Sequence, residues 1–144
     1  MRIAAGSDHA GLELKRHLVR WLEERGHEVL DLGTDSPAST DYPVYARKVA
    51  EAVARGEAER GLVVCGTGIG TDIVANKVRG VRAARCLTEY DARYARRHND
   101  ANVLSLGGRV LGAGLAEAVL QVFLETPFDG GRHERRVRMI EPEP

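Results

Sequence analysis

The stretch GLVVCGTGIG, Gly61 to Gly70, decides how this chain folds. Its first half is a short apolar run containing paired valines, the pattern of a buried strand. Its second half places glycine at every other position, which turns the chain tightly, and helical period follows from about Gly70. A strand that passes through glycines into a helix is half of a parallel βαβ unit. The alternation extends in both directions, because RIAAG, EVLDL, VRAARC and NVLSLG also read as strands. Between them, a first helix is expected from about Ala10, with Leu14, Leu18, Trp21 and Leu22 on one face and Gly26 at its end. A second begins at Pro43 after Asp41, and a fourth spans Glu89 to His98. A fifth carries Leu115, Val119, Leu120 and Phe123 as its stripe and stops before Pro127.

Five strands joined by helices predict a single α/β domain over residues 1–144, doubly wound as a three-layer sandwich about a five-stranded parallel sheet. The tail GGRHERRVRMIEPEP adds a basic helix from about residue 130 and a frayed end. A chain of 144 residues buries enough surface to fold without staples, and two cysteines do not make a disulfide framework. There is no apolar leader and no long apolar run, so a cytoplasmic protein with reduced thiols and no membrane partner is expected. Lysine plus arginine and aspartate plus glutamate both number 21, and this balance argues against a surface that neutralises nucleic-acid phosphates. Lysine occurs only at positions 15, 48 and 77, so a lone arginine carries little information.

Ligands of such sheets bind beyond the carboxyl ends of the strands. The loops there are SDHAG, GTDSPASTDYP, CGTGIGTD, LTEYD and GGRVLG, and they hold most of the candidate chemistry. Three familiar patterns fail. In Gly6-Ser7-Asp8-His9-Ala10-Gly11 a carboxylate occupies the position where a dinucleotide pyrophosphate needs glycine. No Gly-Lys-Ser/Thr follows Gly6 or Gly66 at the spacing of a phosphate loop, and a thiol phosphatase would have arginine where Thr71 stands. Cys65 itself fits two readings. It is a small core residue before a turn, or a thiolate favoured by the gathered amides, able to act as base or nucleophile with Thr67 and the same amides holding an oxyanion. Cys86 ends a strand with no glycine turn and is read as structural.

His17 and His27 have charged neighbours and are expected at the surface, whereas His9 follows Asp8 at a strand end and His98 precedes Asn99. No histidine pair has metal-ligand spacing, so no metal is expected and proton transfer is the better use of these rings. Arg132 and Arg136 share a helix face four residues apart, a spacing that suits a phosphate grip and a solvated basic face equally.

Read in order, SDHAG, DYP, CGTGIG, ANKV.G.RAA.C, HNDANVLSLGGRV and GGRHERRV resemble the ribose-5-phosphate isomerase B family, which includes galactose-6-phosphate isomerase subunits and allose-6-phosphate isomerases. The resemblance spans essentially the whole chain. It implies a Rossmann-like sheet, no metal or cofactor, and a homodimer or tetramer with the active site between subunits. It further implies an aldose–ketose isomerase for a phosphorylated sugar, foremost ribose 5-phosphate and ribulose 5-phosphate. By similarity Cys65 is the proton-shuttling base for an enediolate held by Thr67 and the turn at Gly66, Gly68 and Gly70. His98 opens the sugar ring, Asn99 and Asp8 hold hydroxyls, and Tyr42 borders the pocket. His9, Arg109, Arg132 and Arg136 grip the phosphate. A branch of the family replaces the cysteine by a glutamate at the position of Thr71, which places this chain with the thiol branch. Two positions depart from the pattern. Asp72 replaces a small or neutral residue and would raise the pKa of Cys65 if it pointed inward, or stabilise the helix start from outside. Arg85 replaces an apolar residue, as expected at a sheet edge or a subunit contact. The rivals are an isomerase of allose, galactose or tetrose phosphate, and a non-catalytic sugar-phosphate-binding subunit of a heteromer.

Overall fold

A computed structural model describes residues 1–143. Strands β1 (Arg2–Ser7), β2 (Glu28–Asp31), β3 (Arg60–Cys65), β4 (Ala83–Arg85) and β5 (Val103–Gly107) form one parallel sheet. Helices α1 (Leu12–Glu24), α2 (Tyr42–Ala54), α3 (Ile69–Ala75), α4 (Glu89–Asn99) and α5 (Ala113–Glu125) follow the successive strands, and α6 (Arg132–Arg138) closes the chain. The doubly wound arrangement read from the sequence is therefore present, with strand order β2-β1-β3-β5-β4.

One apolar layer joins the sheet to α1, α4 and α5 through Leu18, Leu22, Ala92, Val119 and Phe123, all buried. The other joins it to α2 and α3 through Val49, Val53 and Ala75. Full burial of each large aliphatic or aromatic side chain contributes about 1.5–3 kcal/mol over exposure. The α1 stripe falls where its period placed it. On α5 the stripe is Ala116, Val119, Leu120 and Phe123, a strict i, i+3, i+4, i+7 set, and Leu115 lies 43% exposed beside it.

The strand order has a consequence for β3. Its helix passes to one face of the sheet, whereas the helices after its neighbours β1 and β5 pass to the other. Chain leaving the carboxyl end of β3 thus diverges from both neighbours and opens a crevice there. Cys65 is the last residue of β3.

Element ends differ from the periodic reading for local reasons. Helix α1 starts at Leu12 instead of about Ala10, since Asp8 Oδ1 accepts the Gly11 amide at 3.0 Å and holds a turn before it. Strand β4 keeps three residues of VRAARC. Val81 and Arg82 lie ahead of it, where the Arg82 amide donates to Asn102 Oδ1 at 2.8 Å. β4 is an edge strand, so Arg85 occupies one of the two settings expected for it. In the loop LTEYD, suspected above of chemistry, the polar atoms serve the backbone instead. Thr88 accepts the Asp91 amide at 3.1 Å while Asp91 accepts the amides of Leu87 and Thr88, a capping box that starts α4.

Candidate active site

Cys65 is buried, 5% exposed, and its sulfur is held from two sides. The Gly68 amide donates to Sγ at 3.2 Å and the Thr71 hydroxyl donates at 3.3 Å. Burial alone pushes this thiol up, but hydrogen bonds from the Thr71 hydroxyl and from the Thr71, Thr67 and Gly68 amides outweigh it and hold the pKa below the ordinary thiol value. Cys86 has no such donors. Burial, with the carboxylates of Asp91 and Asp72, pushes it up to about 12, in keeping with its structural reading.

The turn requires glycine at Gly68, whose φ of 79° is left-handed. A Cβ there would also stand 2.8 Å from the carbonyl carbon of Leu106. At Gly70 the missing side chain leaves room for the ring of Tyr42, whose Cε2 lies 2.6 Å from the place a Cβ would take. Tyr42 therefore borders the cysteine turn. Arg109 lies over Gly66, its Nη1 3.6 Å from the corresponding Cβ position.

Behind the sulfur is a hydroxyl pair. Thr71 Oγ1 and Ser105 Oγ are 2.8 Å apart, and Ser105 donates to the Gly68 carbonyl at 2.7 Å. Both side chains are buried, Ser105 on β5 between β3 and the edge strand β4. Each hydroxyl owns one proton. When the sulfur is a thiolate the Thr71 proton turns toward it, and when it is a thiol the S–H can donate to Thr71, Thr71 to Ser105 and Ser105 to Gly68. The pair can follow the protonation of Cys65 without moving a heavy atom. Ser105 was not singled out in the sequence, although a lone hydroxyl inside NVLSLG is the signal that would have marked it.

Asp72 is half-buried on α3, where burial lifts its carboxyl while the Arg85 guanidinium and amide draw it down. Its carboxyl is turned toward the Arg85 amide and toward Asn76 Nδ2, 3.4 Å from Oδ1, and it raises the pKa of Cys86. The inward-pointing alternative is thus not the one adopted.

His9 accepts the Thr40 amide on Nδ1 at 3.1 Å, which leaves Nε2–H as a donor. His9, Arg16, Pro37, Gly108 and Arg109 help line a cavity of about 530 Å³, within the range of small-molecule sites. Asp8, His9, Tyr42, Gly66, Thr67, Gly68, Gly70 and Arg109 are all brought to the crevice at the carboxyl edge of the sheet.

The remaining candidates lie elsewhere. In the parallel register Gly61 pairs with Val103 and Cys65 with Gly107. Helix α4 returns the chain to the start of β5, and the Asn102 carbonyl accepts the Gly61 amide there at 2.9 Å. His98 and Asn99 therefore sit at the amino edge of the sheet, while Cys65 is at the carboxyl edge. Four strand steps of about 3.3 Å put about 13 Å between these edges. At the amino edge the His98 ring stacks on His133 with centroids 4.1 Å apart and planes 11° apart. His98, Asn99, His133, Arg136, Val137 and Ile140 line a hollow of about 330 Å³, and Arg132 begins the same short helix α6. His133 is held below the ordinary histidine value by its burial, by His98 and by Arg132 and Arg136.

Donor atoms of His98, Asp129 and His133 come within 4.8 Å of one another, a grouping the sequence spacing did not suggest. The two rings are stacked nearly parallel, and Asp129 is engaged by Arg97 Nε at 3.1 Å. These residues form an aromatic and ionic cluster in which both rings remain available for proton transfer or anion contact.

The pattern of the Ribose/Galactose Isomerase family matches residues 3–140. The chain belongs to this family. Ribose-5-phosphate isomerase B of Escherichia coli is 50% identical over 139 residues, covering 96% of this chain and 93% of that protein. The solved ribose-5-phosphate isomerase B of Clostridium thermocellum is 53% identical with a TM-score of 0.96, over 97% of this chain and 95% of that one. A D-erythrulose-4-phosphate isomerase of Pectobacterium atrosepticum is 40% identical, over 97% and 93% respectively. As a member of the ribose/galactose isomerase family this chain is an isomerase enzyme, and its α/β fold is that of the solved ribose-5-phosphate isomerases B. Among the described residues no helix is long and apolar enough to cross a membrane.

Proposed function

We propose that this enzyme interconverts ribose 5-phosphate and ribulose 5-phosphate, with the Cys65 thiolate as the proton-shuttling base. The observation that carries the reading is the sulfur at the carboxyl end of β3, held by the Gly68 amide and the Thr71 hydroxyl and stabilised as a thiolate. In the open-chain aldose the base takes the proton from C2, and the C2–H electron pair becomes the enediolate double bond as the C1 carbonyl oxygen gains charge. Thr67 and the turn amides of Gly66 and Gly70 hold that oxygen. The same thiol returns the proton to C1 while the C2 hydroxyl proton passes to the C1 oxygen, which leaves an alcohol at C1 and a ketone at C2. Proton and electrons stay within the substrate and one side chain, so the step calls for no electron acceptor.

His98 opens the sugar ring, Asn99 and Asp8 hold hydroxyls, and His9, Arg109, Arg132 and Arg136 grip the phosphate with Tyr42 at the pocket rim. These groups lie on two edges of the sheet, so one chain does not assemble the site. A second copy supplies His98, Asn99, Arg132 and Arg136 to the crevice holding Cys65. Exposed Ile69, Ile73, Leu87 and Tyr90 beside the cysteine turn and the edge strand are apolar surface that such a homodimer would cover. Anchoring the remote phosphate fixes the reacting carbons against the thiolate.

The test is a panel of four-, five- and six-carbon sugar phosphates assayed with the purified cytoplasmic enzyme. Ribose 5-phosphate is expected to give the highest kcat/KM. A higher value for a tetrose or hexose phosphate overturns the substrate assignment, and binding without turnover of any of them overturns the catalytic reading.

A further inference from the structure

Arg85, one of the two positions that depart from the family pattern, is brought by the fold to the cysteine turn. Arg85 is on the edge strand β4, two strands from β3, yet its Nε donates to the Thr67 carbonyl at 2.8 Å. It reaches that far because the cysteine turn folds over the end of β5, where Gly107 has no side chain. A Cβ on Gly107 would stand 2.7 Å from the Thr67 carbonyl. The carboxyl of Asp72, one helical turn into α3, feels the positive charge of the Arg85 guanidinium.

The carbonyl that Arg85 holds belongs to the peptide joining Thr67 to Gly68. The amide of that same peptide is the one that donates to Cys65 Sγ at 3.2 Å. In a trans peptide the carbonyl and the amide point in opposite directions, so one planar unit is gripped by a cation on one side and offered to the sulfur on the other. Hydrogen bonding at a carbonyl polarises the attached N–H and strengthens the bond it donates. A charged donor does this more strongly than a neutral one.

We propose that Arg85 is a positioning residue for Cys65, acting through the Thr67–Gly68 peptide. The proposal rests on the reading of Cys65 as the base. The charged or titratable groups on the elements packed around the turn are Asp8 and His9 after β1, Tyr42 on α2, Asp72 on α3, Arg85 on β4 with Cys86 after it, and Arg109 after β5. Among the described residues the hydrogen bonds to the sulfur come from the turn itself and Thr71, so Arg85 touches the peptide and not the sulfur.

The test is the ultraviolet absorbance of the Cys65 thiolate against pH in the native enzyme and in Arg85→Leu, each taken as a difference from the matching Cys65→Ser protein. Cys86, pushed up to about 12, does not titrate in the working range. The leucine variant is expected to move the midpoint up by about half a pH unit, which leaves about threefold less thiolate below it. Its kcat falls by the same factor at low pH and recovers above the new midpoint, with KM unchanged. The shift persists at about 1 M salt, where the screening length is about 3 Å. An unchanged midpoint overturns the proposal, and so does a shift that salt abolishes, because that would assign the effect to the field through solvent. Arg85→Gln gives the same readout if the leucine variant does not fold. The titration does not depend on turnover, so an active Cys65→Ala enzyme would sink the thiol base while leaving this result to stand or fall separately.

Discussion

Replacing Thr71 by valine removes one hydroxyl from Cys65 while keeping the branched shape that fills a fully buried position. That hydroxyl donates a charge-assisted bond to the thiolate and accepts only a weak S–H bond from the thiol, so its loss costs the thiolate more. A hydrogen bond to a charged group is worth about 1.5–3 kcal/mol. At 1.36 kcal/mol per pH unit the midpoint of Cys65 should rise by about one to two units. The sign follows from the base mechanism. Activity requires thiolate, so kcat/KM rises with pH through the Cys65 ionisation and reaches a plateau above it. In Thr71→Val the curve moves to higher pH. Below the native midpoint the variant loses about 10- to 100-fold in kcat/KM, and the loss shrinks as pH passes the new midpoint. The Gly68 amide still holds the sulfur, and Ser105 keeps its bond to the Gly68 carbonyl, so the fold should survive with a modest drop in thermal midpoint. The assay is the pH dependence of ribose 5-phosphate isomerisation from pH 5 to 9 in both proteins. A uniform loss across that range, with no displacement of the curve, would show that Thr71 does not act on the ionisation of Cys65.

Other consequences follow from the same geometry. Gly68→Ala combines a left-handed φ with a Cβ placed against the backbone of Leu106, and about 1–3 kcal/mol of strain is expected in denaturant unfolding together with loss of activity. If two chains build each site, inactive Cys65→Ala and His98→Ala proteins unfolded and refolded together should regain activity, because a hybrid dimer contains one site with both residues intact; no recovery would place His98 and Cys65 in the same subunit's site. Lys15 is fully buried, with its Nζ 2.8 Å from Asp31 Oδ1 and 3.0 Å from the Thr34 carbonyl. Asp31→Ala leaves that charge unpaired and should cost about 2–3 kcal/mol, toward the low side because the carboxylate is partly exposed, as read by chemical denaturation.

The parts of this structure that could be read from sequence are those governed by local rules. GLVVC followed by spaced glycines specified a buried strand, a tight turn and a helix, and the turn has that form. The stripe of α1 followed from its period, whereas Leu115 misled because a large apolar residue at a helix start outweighed the small Ala116 in the reading. Strand order was not legible, since nothing local to β4 records that β5 will later insert between it and β3. That order nevertheless sets the crevice at Cys65 and the distance from Cys65 to His98. The separation of the site into two groups follows from the direction in which α4 returns the chain, a property of topology that proximity of motifs in sequence conceals. Thr71 reaches the sulfur through the local turn, whereas Ser105 and Arg85 come to that turn from β5 and β4 by tertiary folding. The LTEYD loop shows the reverse case, in which residues suited to chemistry are consumed by a helix cap.

The central claim is that Cys65 is the base. Its most direct test is Cys65→Ala, with isomerisation of ribose 5-phosphate and binding of the sugar phosphate measured on the same folded preparation. The substitution removes the proposed base and leaves the side chains proposed to grip the phosphate in place. Turnover should fall by orders of magnitude while binding persists. Full isomerase activity in the alanine variant would contradict the account and require the proton to be carried by another group.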